Sequence, residues 1–140
     1  MAAYVARIDG GARGNPGPAG WGVVIESPEG DVICELYGAI GSATNNVAEY
    51  NGLLSALGWC AERGAENVQI YSDSLLLVQQ MLGNFKVKND GLKRLHGQAR
   101  LLASRVGRVN YEHVPRERNK AADRLANLAM DEAEGKSVKG

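Results

Sequence analysis

The feature that most restricts the fold of this chain is a change of period part-way along it. Up to Tyr37 the apolar residues run in short β-rich stretches broken by glycine and proline. From Asn46 onward helical spacing takes over, interrupted by brief strand-like runs. Tyr4-Val5-Ala6-Arg7-Ile8 reads as a strand, closed by Asp9 at the head of a glycine and proline loop that reaches Pro18. Trp21 to Glu26 and Val32 to Tyr37 flank Ser27-Pro28-Glu29-Gly30, where Pro and Gly take the places a type I turn favours, so these runs form a hairpin. Between Asn46 and Arg63, residues Val47, Tyr50, Leu53, Leu54, Leu57 and Ala61 recur at helical spacing, and Gly64 supplies the stop. Val68 to Tyr71 is a short strand leading to Ser72-Asp73, and Ser74 is placed to cap a helix that runs to about Leu82. Leu92 to Arg105 is helical with Leu92, Leu95, Ala99 and Leu102 inward; Val109 to Val114 alternates as a strand that Pro115 closes. A last helix starts at Glu117 or Asn119 and ends near Ala133, with Leu125, Leu128 and Ala129 as its apolar stripe.

The order βββαβααβα predicts an α/β fold. Three antiparallel strands continue into two parallel strands through right-handed helical crossovers, giving a five-stranded mixed sheet flanked by helices. A chain of 140 residues suits one domain, placed here at 1–134, with 135–140 expected to be a disordered tail. No apolar run reaches transmembrane length and the N-terminus lacks the regions of a signal peptide, so a cytoplasmic location without membrane contact is expected. Cys34 and Cys60 lie in apolar segments without zinc-site spacing, which points to buried, reduced thiols. Sixteen basic and sixteen acidic residues balance, so no overall positive field recruits nucleic acid and any such binding must be local.

Four acids stand out by position. In sheets of this kind sites gather at the carboxyl ends of adjoining strands, where Asp9 and Asp73 fall. Glu49 sits in the first turns of the first long helix and Asp123 early in the last. Each alone is explained by capping or by the helix dipole. Together their settings suggest more: Asp9 precedes two glycines that let the backbone turn away, Glu49 rides a helix that should cross the sheet, and Asp123 borders an apolar stripe. Acids converging in this way suit hard divalent ions such as Mg²⁺, and phosphodiester hydrolysis is well served by a pair of them about 3.5–4 Å apart.

Four segments in order, Ile8-Asp9-Gly10-Gly11 with Asn15, Thr44-Asn45-Asn46-Val47-Ala48-Glu49, Tyr71-Ser72-Asp73-Ser74 and Asn119-Lys120-Ala121-Ala122-Asp123-Arg124-Leu125-Ala126, resemble the type 1 ribonuclease H family. The resemblance runs from about Tyr4 to Met130 and implies a ribonuclease H-like fold. It also implies that Asp9, Glu49, Asp73 and Asp123 hold Mg²⁺ or Mn²⁺, two ions per site. The implied reaction is in-line attack of water on the RNA strand of an RNA/DNA hybrid, leaving 5′-phosphate and 3′-hydroxyl ends. Ribose 2′-hydroxyls would identify the strand to be cut. Asn15, Thr44, Asn45 and Asn46 match family positions that contact the hybrid; their plainer roles are a turn for Asn15 and an N-cap for Thr44 or Asn45.

Two departures from the family are visible. Many members carry a histidine ahead of the last acid; here His113 falls within a strand, and Val114-Pro115-Arg116-Glu117 resembles the shortened loop in which an arginine takes its place. Arg116 is therefore expected as the fifth catalytic group in preference to His113, stabilising charge without acting as a base. The basic protrusion and the hybrid-binding module of some members are expected to be missing, which makes this a compact form, expected to act as a monomer. Lys86, Lys88, Lys93 and Arg94 make a modest basic cluster that either tracks the DNA strand or solvates a helix face, so few phosphate contacts and a shallow salt dependence are expected. His96 is expected at the surface. The competing readings are a noncatalytic nucleic-acid-binding module, which would have lost one or more acids, and a DNA-directed nuclease of the same fold.

Overall fold

The computed structural model describes residues 3–135. Among them are five strands, β1 (Tyr4–Ala12), β2 (Gly17–Glu26), β3 (Val32–Ala43), β4 (Asn67–Ser72) and β5 (Arg108–His113). Four α-helices accompany them: α1 (Asn45–Glu62), α2 (Leu75–Met81), α3 (Asp90–Val106) and α4 (Lys120–Ala133), with a 3₁₀ turn at Arg116–Arg118. The strands form one mixed sheet in the order β3-β2-β1-β4-β5. β1, β2 and β3 pair antiparallel, whereas β1–β4 and β4–β5 are parallel, so the expected architecture is the observed one. The tail expected to be disordered lies, apart from Gly135, outside the described residues. No helix among the described residues is long and apolar enough to cross a membrane.

The first three strands run further than their composition suggests. β1 does not end at Asp9: it stays paired with β2 from Asp9↔Gly22 to Ala12↔Ala19, while its pairing with β4 stops at Ile8↔Ser72. Glycines within these strands permit close backbone approach. A Cβ on Gly22 would sit 2.5 Å from the Ala122 carbonyl oxygen, and one on Gly20 2.4 Å from the Ala129 Cβ, so α4 lies directly on β2. β3 likewise continues past Tyr37 to Ala43 along the sheet edge. The turn between β2 and β3 forms as expected, with the Gly30 N–H donating to the Ser27 carbonyl at 2.9 Å.

The main core lies between the sheet and α1, α2 and α3, where Ile8, Val23, Ile25, Tyr50, Leu53, Leu57, Val68, Ile70 and Leu77 are all but fully buried. Each such side chain contributes roughly 1.5–3 kcal/mol relative to exposure. Val23 and Ile25 alternate along β2 with Gly22, so α1 and α4 cover opposite faces of the sheet. Two smaller expectations are corrected here. Cys60 is buried, with its thiol pushed up to about 11 by burial, but Cys34 is half-buried; neither is in a disulfide. His96 is half-buried rather than on the surface, because its Nε2 lies 3.1 Å from the Gln80 carbonyl oxygen and its ring meets Tyr50 edge-on at 6.3 Å.

Candidate active site

The site forms where the sheet splits. Beyond the Ile8↔Ser72 pair β1 keeps β2 but loses β4, leaving Asp9 and Asp73 side by side at a break in the parallel ladder. The third acid arrives on α1. Thr44 caps this helix, its Oγ1 accepting from the Val47 N–H at 3.3 Å, and places Glu49 in the second turn. Nothing separates helix from strand at this point: a Cβ on Gly10 would lie 2.5 Å from both the Ala48 carbonyl carbon and the Glu49 nitrogen. Glu49 therefore reaches Asp9 across a backbone-to-backbone contact. One carboxylate oxygen from each of Asp9, Glu49 and Asp73 lies within 4.8 Å of the other two.

Burial and mutual repulsion dominate the electrostatics. Asp9, 8% exposed, is pushed up to about 8, first by burial and then by the charge of Asp73 and a hydrogen bond with Asp123. Burial also pushes Glu49 up to about 7, the charge of Asp73 adding to the effect and a hydrogen bond from Ser74 opposing it. Asp73 is raised by burial, with the hydrogen bond to Asp9 and the Arg116 guanidinium pulling the other way. Three acids so arranged resist ionising together, and a divalent cation among them reverses that preference. Their donors are all hard oxygens, which fits Mg²⁺ or Mn²⁺ far better than a soft thiolate-seeking ion.

Asp123 stands outside this group of three but lines the same cavity of about 440 Å³, opposite in origin because it comes from α4. Arg116 lines the cavity too, its Nη2 4.0 Å from Asp123 Oδ1. His113 ends β5 opposite Ser72 and is exposed, and the cavity lining does not include it. Asn15 and Asn45 are interlocked: the Asn45 N–H donates to Asn15 Oδ1 at 3.0 Å, and the Ala12 N–H donates to Asn45 Oδ1 at 2.7 Å. Each therefore keeps its amide NH₂ to offer, while Asn45 lines the cavity and Asn46 follows it half-buried on α1. The basic cluster lies elsewhere. Lys86 and Lys88 border a separate cavity of about 590 Å³ with Leu76 and Phe85, Lys93 pairs with Asp90 at 3.6 Å, and Arg94 is exposed.

Two residues at the site carried no functional reading in the sequence. Asn119 is 1% exposed; its Nδ2 donates to the Ile8 carbonyl at 2.8 Å, immediately before Asp9, and its own carbonyl accepts from the Asp123 N–H at 3.0 Å. It thereby ties the strand that holds one acid to the helix that holds another. Arg13 also lines the cavity, held by acceptors on α4 and just beyond it. Asn119 lay in a motif segment, but its burial could not be read there, and the partners of Arg13 are more than 110 residues away.

Comparison with known proteins agrees with this geometry. A family model described as reverse transcriptase-like matches residues 7–129. The bifunctional protein Rv2228c of Mycobacterium tuberculosis is 52% identical over 130 residues, 92% of this chain and 36% of that protein. The chain thus spans about a third of the length of this relative. The solved N-terminal RNase H domain of rv2228c superposes with a TM-score of 0.92 at 50% identity, covering 96% of this chain and 98% of the other. LC11-RNase H1, solved in complex with RNA/DNA hybrid, gives a TM-score of 0.87 at 42% identity over 94% of this chain and 99% of the other. With the motif order, the mixed sheet and the acid-lined cavity all in agreement, this chain belongs to the reverse-transcriptase-like family of ribonuclease H domains.

Proposed function

We propose that this chain is a metal-dependent endonuclease that hydrolyses the RNA strand of RNA/DNA hybrids, working as one domain over residues 1–134. The observation that carries this reading is the convergence of Asp9, Glu49 and Asp73 oxygens within 4.8 Å of one another in a cavity that Asp123 also lines. Those four acids would hold two Mg²⁺ or Mn²⁺ ions. Bound there, the ions would activate a water, relieve charge on the non-bridging oxygens and stabilise the leaving 3′-oxygen, giving 5′-phosphate and 3′-hydroxyl ends.

The protein's own groups contribute the rest. Asp9, Glu49 and Asp73 must all be ionised to act as ligands, so the cation and the protons compete for one set of oxygens. Arg116, at the cavity edge beside Asp123, would offset negative charge building on the scissile phosphate. Asn15, Thr44, Asn45 and Asn46 would meet the hybrid at the rim, where amide and hydroxyl groups can read a ribose 2′-hydroxyl as both donor and acceptor. We place the protein in the cytoplasm as a monomer, in keeping with a balanced charge and a site built from one chain.

A noncatalytic module finds little support, because all four acids face one cavity. A DNA-directed nuclease is separated by experiment. RNA/DNA, RNA/RNA and DNA/DNA duplexes of one sequence are incubated with the protein and Mg²⁺ or Mn²⁺. Cleavage confined to RNA within the hybrid is expected; cleavage of the DNA duplex, or none with either ion, refutes the proposal.

A further inference from the structure

The cavity holds a second arginine that the proposed chemistry leaves unused. Arg13 follows the last residue of β1, and its guanidinium reaches across to the end of α4. Nη1 lies 2.8 Å from Glu134 Oε1 and forms an ion pair with Asp131, while Nη2 lies 3.2 Å from Asn127 Oδ1 and 3.4 Å from the Asn127 carbonyl oxygen. Two carboxylates around one guanidinium leave this corner net negative. A phosphate approaching it would find the fork of Arg13 already spent on carboxylate partners. Arg13 is built as a brace, not as a phosphate ligand.

What it braces is the turn that follows. The Arg13 N–H donates to the Pro18 carbonyl at 2.9 Å, closing the segment Gly14-Asn15-Pro16. Asn15 is locked to the start of α1 by the Asn45 N–H, and Asn45 is locked back to β1 by the Ala12 N–H. The turn bearing Asn15 is thus tied to α1 on one side and to α4 on the other, and the α4 tie is Arg13.

We infer that Arg13 is a positioning residue for substrate binding: it clamps the turn of residues 13–16 to α4, so that Asn15 and Asn45 meet the substrate as one preset edge. The inference rests on the hybrid reading for the identity of that substrate. Without the clamp the turn must be ordered on each binding event, which weakens binding without touching the acids.

Arg13→Ala is therefore expected to raise KM for the hybrid by about 3- to 10-fold, to leave kcat within about 2-fold, and to leave Mn²⁺ affinity in calorimetry without substrate unchanged. Amide hydrogen exchange at residues 13–15 should accelerate in the same variant. Simple repulsion by the exposed acids is tested with Arg13→Ala/Asp131→Asn/Glu134→Gln, which removes the arginine and both charges. The clamp requires KM to stay raised; a return to the wild-type value overturns it. Should Arg13→Ala fail to fold, Asp131→Asn/Glu134→Gln releases the clamp from the α4 side and must accelerate exchange at 13–15 in the same way. Unchanged exchange in a folded variant overturns the inference whatever the activity. Failure of the wild type to cleave hybrid refutes the functional reading instead, and hydrogen exchange still decides the clamp.

Discussion

Asp9→Asn should make the metal-free protein more stable at pH 8 while destroying its affinity for divalent ions. In the fold the Asp9 carboxyl is raised from 3.8 to about 8, by burial above all and then by Asp73. Between those values the folded protein holds a proton that the unfolded chain has released, so stability falls as pH rises through that window. At roughly 1.4 kcal/mol per tenfold change, the ionised form would be disfavoured by ~5 kcal/mol at pH 8. Asp73 shares the repulsion and water in the open cavity relaxes it, so Asp9→Asn should recover ~1–3 kcal/mol. The amide fills the same space, accepts from the same backbone, and donates to Asp73 or Asp123 without charge. The assay is thermal unfolding of both proteins in chelator at pH 5 and pH 8. For a chain of this size ~1 kcal/mol corresponds to ~3–5 °C, and the advantage of the variant should grow between the two pH values. Added Mg²⁺ at about ten times its dissociation constant should stabilise the wild type by ~1.4 kcal/mol and the variant hardly at all. A variant no more stable than wild type at pH 8 in chelator, or an advantage independent of pH, would refute the account of the buried acids.

Gly10→Ala should cost ~2–4 kcal/mol of stability, since its methyl has 2.5 Å where the α1 backbone already lies; denaturant unfolding measures the loss, and Mn²⁺ affinity should fall with it. Asn119→Asp keeps the shape but loses the N–H that holds the Ile8 carbonyl, so calorimetry should show weaker Mn²⁺ binding together with ~1–3 kcal/mol lower stability. Arg116→Ala should reduce kcat on a hybrid more than His113→Ala, and the reverse order in steady-state kinetics would shift the helper role to the histidine. Thr44→Ala removes the α1 cap and should lower stability by ~1 kcal/mol in urea titration.

Periodicity carries the helices and the hairpin because local chemistry decides both. The spacing of Val47, Tyr50, Leu53 and Leu57 is sufficient for α1, and Thr44, Ser74 and Asn89 accept hydrogen bonds from the first turns of α1, α2 and α3 as cap residues do. Glycine is where local reading fails. Gly10 looks like loop and Gly22 falls in a run already read as strand, yet in neither case does the sequence reveal that the missing side chain, like that of Gly20, lets α1 or α4 touch the sheet, a fact that exists only between elements distant in sequence. The four acids were legible through the segments around them. Their arrangement was not: that the oxygens of Asp9, Glu49 and Asp73 gather within 4.8 Å of one another while Asp123 joins the same cavity from α4 depends on which helix covers which face. Arg13 and Asn119 were hidden for the same reason, since an arginine in a turn and an asparagine before a helix reveal nothing about partners on the far side of the fold.

The contact at Gly10 means that the gap between Asp9 and Glu49 is spanned by two main chains, with no side chain between them to act as a spacer. A gap lined by side chains can be tuned by exchanging one residue for a larger or smaller one; at this contact the two main chains leave no such side chain to exchange. The width of the ion seat is then inherited from the dimensions of the polypeptide itself. A laboratory effort to widen the gap between the two acids must therefore move a whole helix.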